Sequence, residues 1–209
     1  MTYKCRNSNS IEVDFGFIIW YHLHMSLIIN FFGGPCIGKS TQSSELFTLM
    51  KKEHLDVELT FEYPKIVAWE ENHSAIRDQF YITANQHRNI SRLYGKVEYI
   101  IVDSPIILGM VYKERYDETP SYPASFYDDT FDTFVVGLFK KYNSLNIVLR
   151  RNDNVYNQNG RFQDLNESKQ IDLDIISKLR ENDIPYVEFY VGENTSRDIF
   201  NYIKTHIIL

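Results

Sequence analysis

Glycine is scarce in this 209-residue chain, nine in all, yet three of the nine fall within Gly33-Gly34-Pro35-Cys36-Ile37-Gly38-Lys39-Ser40. That run matches G-x-x-x-x-G-K-[ST], with Thr41 directly after it. A loop that wraps a phosphate must turn tightly with its backbone N–H groups inward, which glycine permits at positive φ. The pattern works only between a strand that delivers it and a helix whose N-terminus adds partial positive charge. Both flanks are present. Leu27 to Phe32 is an apolar run of strand length, and Ser40 to Lys52 carries Leu46, Leu49 and Met50 near helical spacing. The spacing therefore predicts a phosphate cradle of Gly33, Gly34, Pro35, Cys36, Ile37, Gly38, Lys39, Ser40 and Thr41. Lys39 is within reach of β- and γ-phosphates, and the Ser40 hydroxyl is suited to Mg²⁺. Cys36 reads as a small loop residue rather than a nucleophile.

The remainder alternates strand and helix. Val57 to Tyr63 reads as a strand ended by Pro64, and Ile66 to Tyr94 as a long helix with Ile76, Phe80, Ala84, His87 and Tyr94 near one stripe. Val97 to Asp103 is the next strand, residues 112–127 a loop or insertion, and Asp128 to Tyr142 a helix. Leu145 to Leu149 is a strand, and Arg150 to Asn166 is polar without periodicity. Glu167 to Asn182 is a helix, Ile184 to Val191 a strand, and Ser196 to His206 a closing helix. Five strands alternating with helices predict an α/β fold with a mostly parallel sheet covered on both faces. Residues 1–24 differ in composition from the rest of the chain. They are expected to be an appendage to a domain spanning 25–209, or else an extra N-terminal strand or helix.

Composition narrows the function. The formal charge is −6, without a contiguous basic run, which argues against a long nucleic-acid partner. Two cysteines, Cys5 and Cys36, exclude a disulfide framework and a cysteine-rich zinc site, and point to a reducing, cytoplasmic setting. The most apolar stretch, Phe15 to Phe32, is interrupted by His22, His24 and Asn30, so no membrane span is expected.

Asp103 ends a hydrophobic strand where open α/β sheets bind their ligands. It is suited to hold Mg²⁺ beside a phosphate loop, or alternatively to cap a helix begun by Ser104-Pro105. Arg150, Arg151 and Arg161, with Gly160 as a hinge, lie in a polar segment with the composition of a lid over phosphates, or of a solvated loop. Glu62 ends the second strand and either orients or deprotonates an acceptor hydroxyl, or is an exposed strand-end acid. Gln79 and Gln86 offer amides to a base edge, and Arg88 and Arg92 guanidinium groups to a phosphate. Tyr63, Trp69 and Tyr81 are candidates to stack on a base.

On Gly33 to Thr41, Glu62-Tyr63, Val102-Asp103-Ser104-Pro105 and Arg150 to Arg161, the chain resembles the P-loop kinase superfamily, which includes thymidylate and deoxynucleoside kinases. Within it, the chain is similar to the NadR-type AAA domain family and related phage ATP-binding proteins. The resemblance implies a three-layer P-loop NTPase fold, use of ATP and Mg²⁺, and a small nucleoside or nucleotide acceptor, nicotinamide riboside included. It places Arg150, Arg151 and Arg161 in the lid region. Ser104 stands where thymidylate kinases carry an arginine, and Val-Asp-Ser where deoxynucleoside kinases carry Glu-Arg-Ser.

The sequence thus predicts a phosphotransferase with Lys39, Glu62, Asp103, Arg150 and Arg161 as catalytic residues and Ser40 and Asp103 as metal ligands. A homodimer is compatible with it. A nucleotide-dependent switch, binding ATP or GTP without an acceptor, is the alternative.

Overall fold

A computed structural model describes residues 25–116, 129–152 and 165–208. The proposed appendage at 1–24, and Gly160 and Arg161 of the proposed lid, lie outside the described residues. Among the described residues, five strands form one sheet in the order β2-β3-β1-β4-β5. They are β1 (Leu27–Phe32), β2 (Val57–Thr60), β3 (Tyr99–Val102), β4 (Ser144–Arg150) and β5 (Val187–Tyr190), and every pairing is parallel.

The central strand β1 is buried at all six positions. Its side chains divide between two cores because successive residues of a strand point to opposite faces. Ile28 and Phe32 join Ile100, Val102 and Val148 on one face, while Leu27, Ile29 and Phe31 join Ile101, Ile147 and Leu149 on the other. The second face is covered by α1 (Lys39–Lys52) and α8 (Thr195–Ile203), through Leu46, Met50, Ile199, Phe200 and Ile203. The first is covered by α4 (Gln79–Ser91), α5 (Leu108–Tyr116), α6 (Asp129–Phe139) and α7 (Leu165–Glu181). The chain leaves β1 toward β2 and leaves the adjacent β4 toward β5. That reversal opens a crevice at the carboxyl ends of the strands, where such sheets bind ligands.

One polar ladder crosses the first core. Asn30 Nδ2 donates to Asn146 Oδ1 at 2.9 Å, and Asn146 Nδ2 donates to the Pro185 carbonyl at 2.9 Å. Both asparagines are almost fully buried, so the pair sets the β1–β4 register while leaving neither amide stranded.

Four expectations are corrected. The single helix over 66–94 is three: α2 (Tyr63–Trp69), α3 (His73–Arg77) and α4. Asn72 and Asp78 interrupt it because their carbonyl and carboxylate oxygens accept N–H bonds from Ala75 and Tyr81, restarting the helix each time. Pro64 opens α2 rather than merely ending a strand, since its missing N–H costs nothing in a first turn. Residues 112–116, expected in a loop, belong to α5. There Lys113 pairs with Asp132 of α6 at 2.7 Å, and Arg115 with Asp174 of α7 at 2.5 Å, ties invisible to local pattern. Three strands are shorter than expected, 57–60, 99–102 and 187–190 replacing 57–63, 97–103 and 184–191, whereas β4 runs one residue further at each end than 145–149.

Candidate active site

The phosphate loop leaves β1 and enters α1 without a side-chain cap, with Gly38 at φ +100° in the capping position. Gly33 is also at positive φ (+150°), and a β-carbon there would lie 2.7 Å from the Ile37 side chain. Lys39 is buried, and its Nζ donates to the carbonyls of Gly33 at 2.8 Å and Gly34 at 3.2 Å. The ammonium is therefore held within the loop's own curve. Cys36 takes φ +60° between the glycines and is half-buried. Thr41 is exposed one residue further along α1 than Ser40.

Asp103 follows β3, the neighbour of β1, and is buried. It does not cap α5, which begins five residues later at Leu108. Instead its Oδ2 accepts the Ser40 hydroxyl at 2.7 Å, bringing together two residues 63 apart in sequence. Its Oδ1 is buried and has no hydrogen-bond partner among the described residues. Two hard oxygens beside a phosphate loop fit Mg²⁺, which takes one or two protein oxygens and completes its shell with phosphate and water. No described group of three His, Cys, Asp or Glu side chains forms a self-sufficient metal cage.

Glu62 stands at the N-cap of α2, half-buried, with no capping bond from its side chain. The sheet order puts β2, which leads to it, beside β3 and hence next to Asp103. Beneath lies the buried face of α4, with Gln79, Thr83 and Gln86 all nearly sealed from solvent. Gln86 Oε1 accepts the Tyr63 N–H at 3.0 Å, so the amide is oriented and its Nε2 is the end left over. That nitrogen and Thr83 Oγ1 have no partners among the described residues. Thr83 had no signal in the sequence beyond its place on this face. Arg88 and Arg92, expected beside these amides, lie exposed on the other side of α4 and do not converge with them.

Tyr63 and Tyr81 form an edge-to-face pair with their hydroxyls 2.7 Å apart. The Tyr81 hydrogen bond and, secondarily, burial push the Tyr63 phenol up to about 12, so it stays neutral. Trp69 is 81% exposed and stacks on nothing described. The two lid arginines within the described residues have different surroundings. Arg150 is the last residue of β4, not part of a loop, and pairs loosely with Glu188 of β5 at 3.8 Å. Arg151, expected over the phosphates, turns to the outer side of the phosphate loop. Its Nη2 donates to the Pro35 carbonyl at 2.6 Å, and its Nε to Asp172 at 2.6 Å.

Taken together, the parallel sheet, the glycine loop and the Ser40–Asp103 pair define a three-layer P-loop NTPase fold. The profile of the AAA domain family matches residues 28–197, and the chain belongs to that family. Among solved structures, it resembles NadR in complex with NR at 14% identity and a TM-score of 0.67. The match covers 90% of this chain and 53% of that one, so the chain spans about half of the NadR structure. It also resembles deoxyadenosine kinase from M. mycoides with bound dATP at 19% identity and a TM-score of 0.57, covering 86% of this chain and all of that one. A second structure of that kinase, with bound dCTP, gives 17% identity and a TM-score of 0.53. No curated protein matches the sequence. No described helix is long and apolar enough to cross a membrane.

Proposed function

We propose that this chain is a kinase that moves the γ-phosphoryl group of ATP to a hydroxyl of a small nucleoside or nucleoside monophosphate, nicotinamide riboside-like acceptors included. The observation that carries this reading is the second half of the crevice. Beside the phosphate loop, Glu62 precedes Tyr63, whose N–H is held by the buried Gln86 amide, and Gln86 Nε2 has no hydrogen-bond partner among the described residues. Buried polar groups without partners are costly, so such atoms fit a polar ligand. A nucleotide switch needs no such group. The similar structures, a deoxyadenosine kinase and NadR in complex with NR, agree with an acceptor of this size.

In this reading the loop N–H groups and Lys39 bind the phosphates, and Ser40 and Asp103 hold Mg²⁺. When bound there, the ion would supply charge neutralisation to the phosphates. Glu62 accepts a hydrogen bond from the acceptor hydroxyl and takes its proton as the oxygen bonds to the γ-phosphorus. The bond from that phosphorus to the bridging oxygen breaks, and ADP leaves. Arg150 and Arg161 stabilise the charge in flight. Phosphoryl transfer asks the protein mainly for positioning and electrostatics, which these groups provide.

The test is ATP and GTP consumption against a panel of nucleosides, monophosphates, nicotinamide riboside and oligonucleotide ends. Consumption that depends on one small acceptor class, and that is abolished in Lys39→Ala, is the expected result. Unchanged turnover in Lys39→Ala refutes the mechanism. Tight nucleotide binding without turnover on any acceptor assigns the chain as a switch.

A further inference from the structure

We propose that Arg151, Ser168 and Asp172 are positioning residues that set the peptide planes of the phosphate loop; the proposal rests on the reading of that loop as an ATP site. The three side chains meet the outer side of the loop in one closed network. Asp172 Oδ1 accepts the Gly34 N–H at 2.6 Å, and Asp172 Oδ2 accepts Arg151 Nε at 2.6 Å. Arg151 Nη2 donates to Ser168 Oγ at 2.5 Å and to the Pro35 carbonyl at 2.6 Å, and the Ser168 hydroxyl donates to the same carbonyl at 2.6 Å. Ser168 is fully buried, and the Arg151 and Asp172 side chains are 13% and 17% exposed.

A trans peptide unit points its C=O and N–H in opposite directions, and the described chain has no cis bond. Holding the Gly34 N–H outward therefore turns the Gly33 carbonyl inward, where Lys39 Nζ meets it at 2.8 Å. Holding the Pro35 carbonyl outward turns the Cys36 N–H to the side away from α7. Two peptide orientations, and through one of them the seat of the Lys39 ammonium, are thus set from outside the loop. Gly34 is the contact point: a β-carbon there would lie 2.6 Å from the Ser168 carbonyl and 2.8 Å from Asp172 Oδ1.

Docking of α7 does not require these polar groups. Ile171, Ile175, Ile176 and Leu179 already seal its apolar face in the core. A part-buried ion pair adds little net stability over apolar packing, whereas it imposes a specific geometry. The network also ties the phosphate loop to the helix that comes after residues 153–164, so anything that shifts α7 acts on the loop.

The experiment is equilibrium titration of the full chain with MgATP, without acceptor, beside thermal melting of the free protein, for wild type, Arg151→Lys and Asp172→Asn. Both variants are expected to bind MgATP at least tenfold more weakly while remaining folded, and the double variant is expected to lose little more than either single one, because the groups act as a unit. Ser168→Ala, which removes one hydroxyl, supplies a milder variant should the others not fold, with an expected loss of about threefold. Lower melting temperatures with MgATP affinity within twofold of wild type overturn the proposal, since that is what a merely structural network would give. Failure of wild type to bind MgATP overturns the ATP reading itself, and this inference with it.

Discussion

Replacing Gly34 by alanine tests how closely α7 approaches the phosphate loop. The backbone at Gly34 is not in the left-handed region, so the cost is steric rather than conformational. The new methyl group would stand 2.6 Å from the Ser168 carbonyl oxygen, 2.8 Å from Asp172 Oδ1 and 3.2 Å from Arg151 Nη2. Carbon and oxygen approach comfortably at about 3.3 Å, so the nearest contact must open by roughly 0.7 Å. That atom is helix backbone, not the end of a flexible side chain, so the strain is relieved by moving the loop or α7. Overpacking of this kind costs about 1–3 kcal/mol. For a domain of this size each kcal/mol lowers the melting temperature by about 2–4 °C, so a drop of about 4–8 °C is expected near the middle of the range. MgATP affinity should fall with it, because the loop's outer hydrogen bonds lengthen. Gly137→Ala is the control: it lies in α6, where an added methyl would meet nothing within 4 Å, and should gain about 0.5–1 kcal/mol. The assay is thermal melting of the free protein and MgATP titration on the same samples. A Gly34→Ala protein that melts and binds as wild type would refute the close approach and the strain derived from it.

Two further outcomes concern the core. Asn146→Ala strands the Asn30 amide and removes the donor to the Pro185 carbonyl, and should cost about 2–4 kcal/mol by chemical denaturation, whereas changing Asn30 and Asn146 together to leucine should cost less than the sum of the single changes. His87, part-buried with its Nε2 2.6 Å from the Tyr142 hydroxyl, has its pKa lowered by burial. The folded chain therefore resists protonation more than the unfolded one. The associated stability is present above the ordinary histidine pKa and is lost as pH falls through the folded value. Denaturation curves from pH 7.5 to pH 5 should show that loss, and His87→Gln should flatten it; equal slopes in the two proteins would remove His87 from the account.

The parts legible in the sequence are those encoded locally. The buried parallel strands read as apolar runs because both faces are covered, and β1 is buried at every position. The phosphate loop is legible because glycine spacing, Lys39 and the helix after them are one contiguous device. Helix interruptions at Asn72 and Asp78 escape notice because an apolar stripe continues across them, while the caps act through a single side-chain oxygen each. The helical state of residues 112–116 is hidden by their polar composition, which serves ion pairs to α6 and α7.

The site divides along the same line. The half proposed to bind phosphate is written in eight consecutive residues, since backbone N–H groups, a lysine and a hydroxyl at fixed spacing need no distant partner. What tertiary structure alone decided was pairing across the chain: Ser40 with Asp103, Tyr63 with Gln86, and Arg151 with Asp172 and the loop. Arginine at 151 is equally suited by composition to grip a phosphate or a carboxylate. Only the docking of α7 against the loop brings Asp172 to its guanidinium, because hydrogen bonds of 2.6 Å are specified by position in space and leave no periodic trace in sequence.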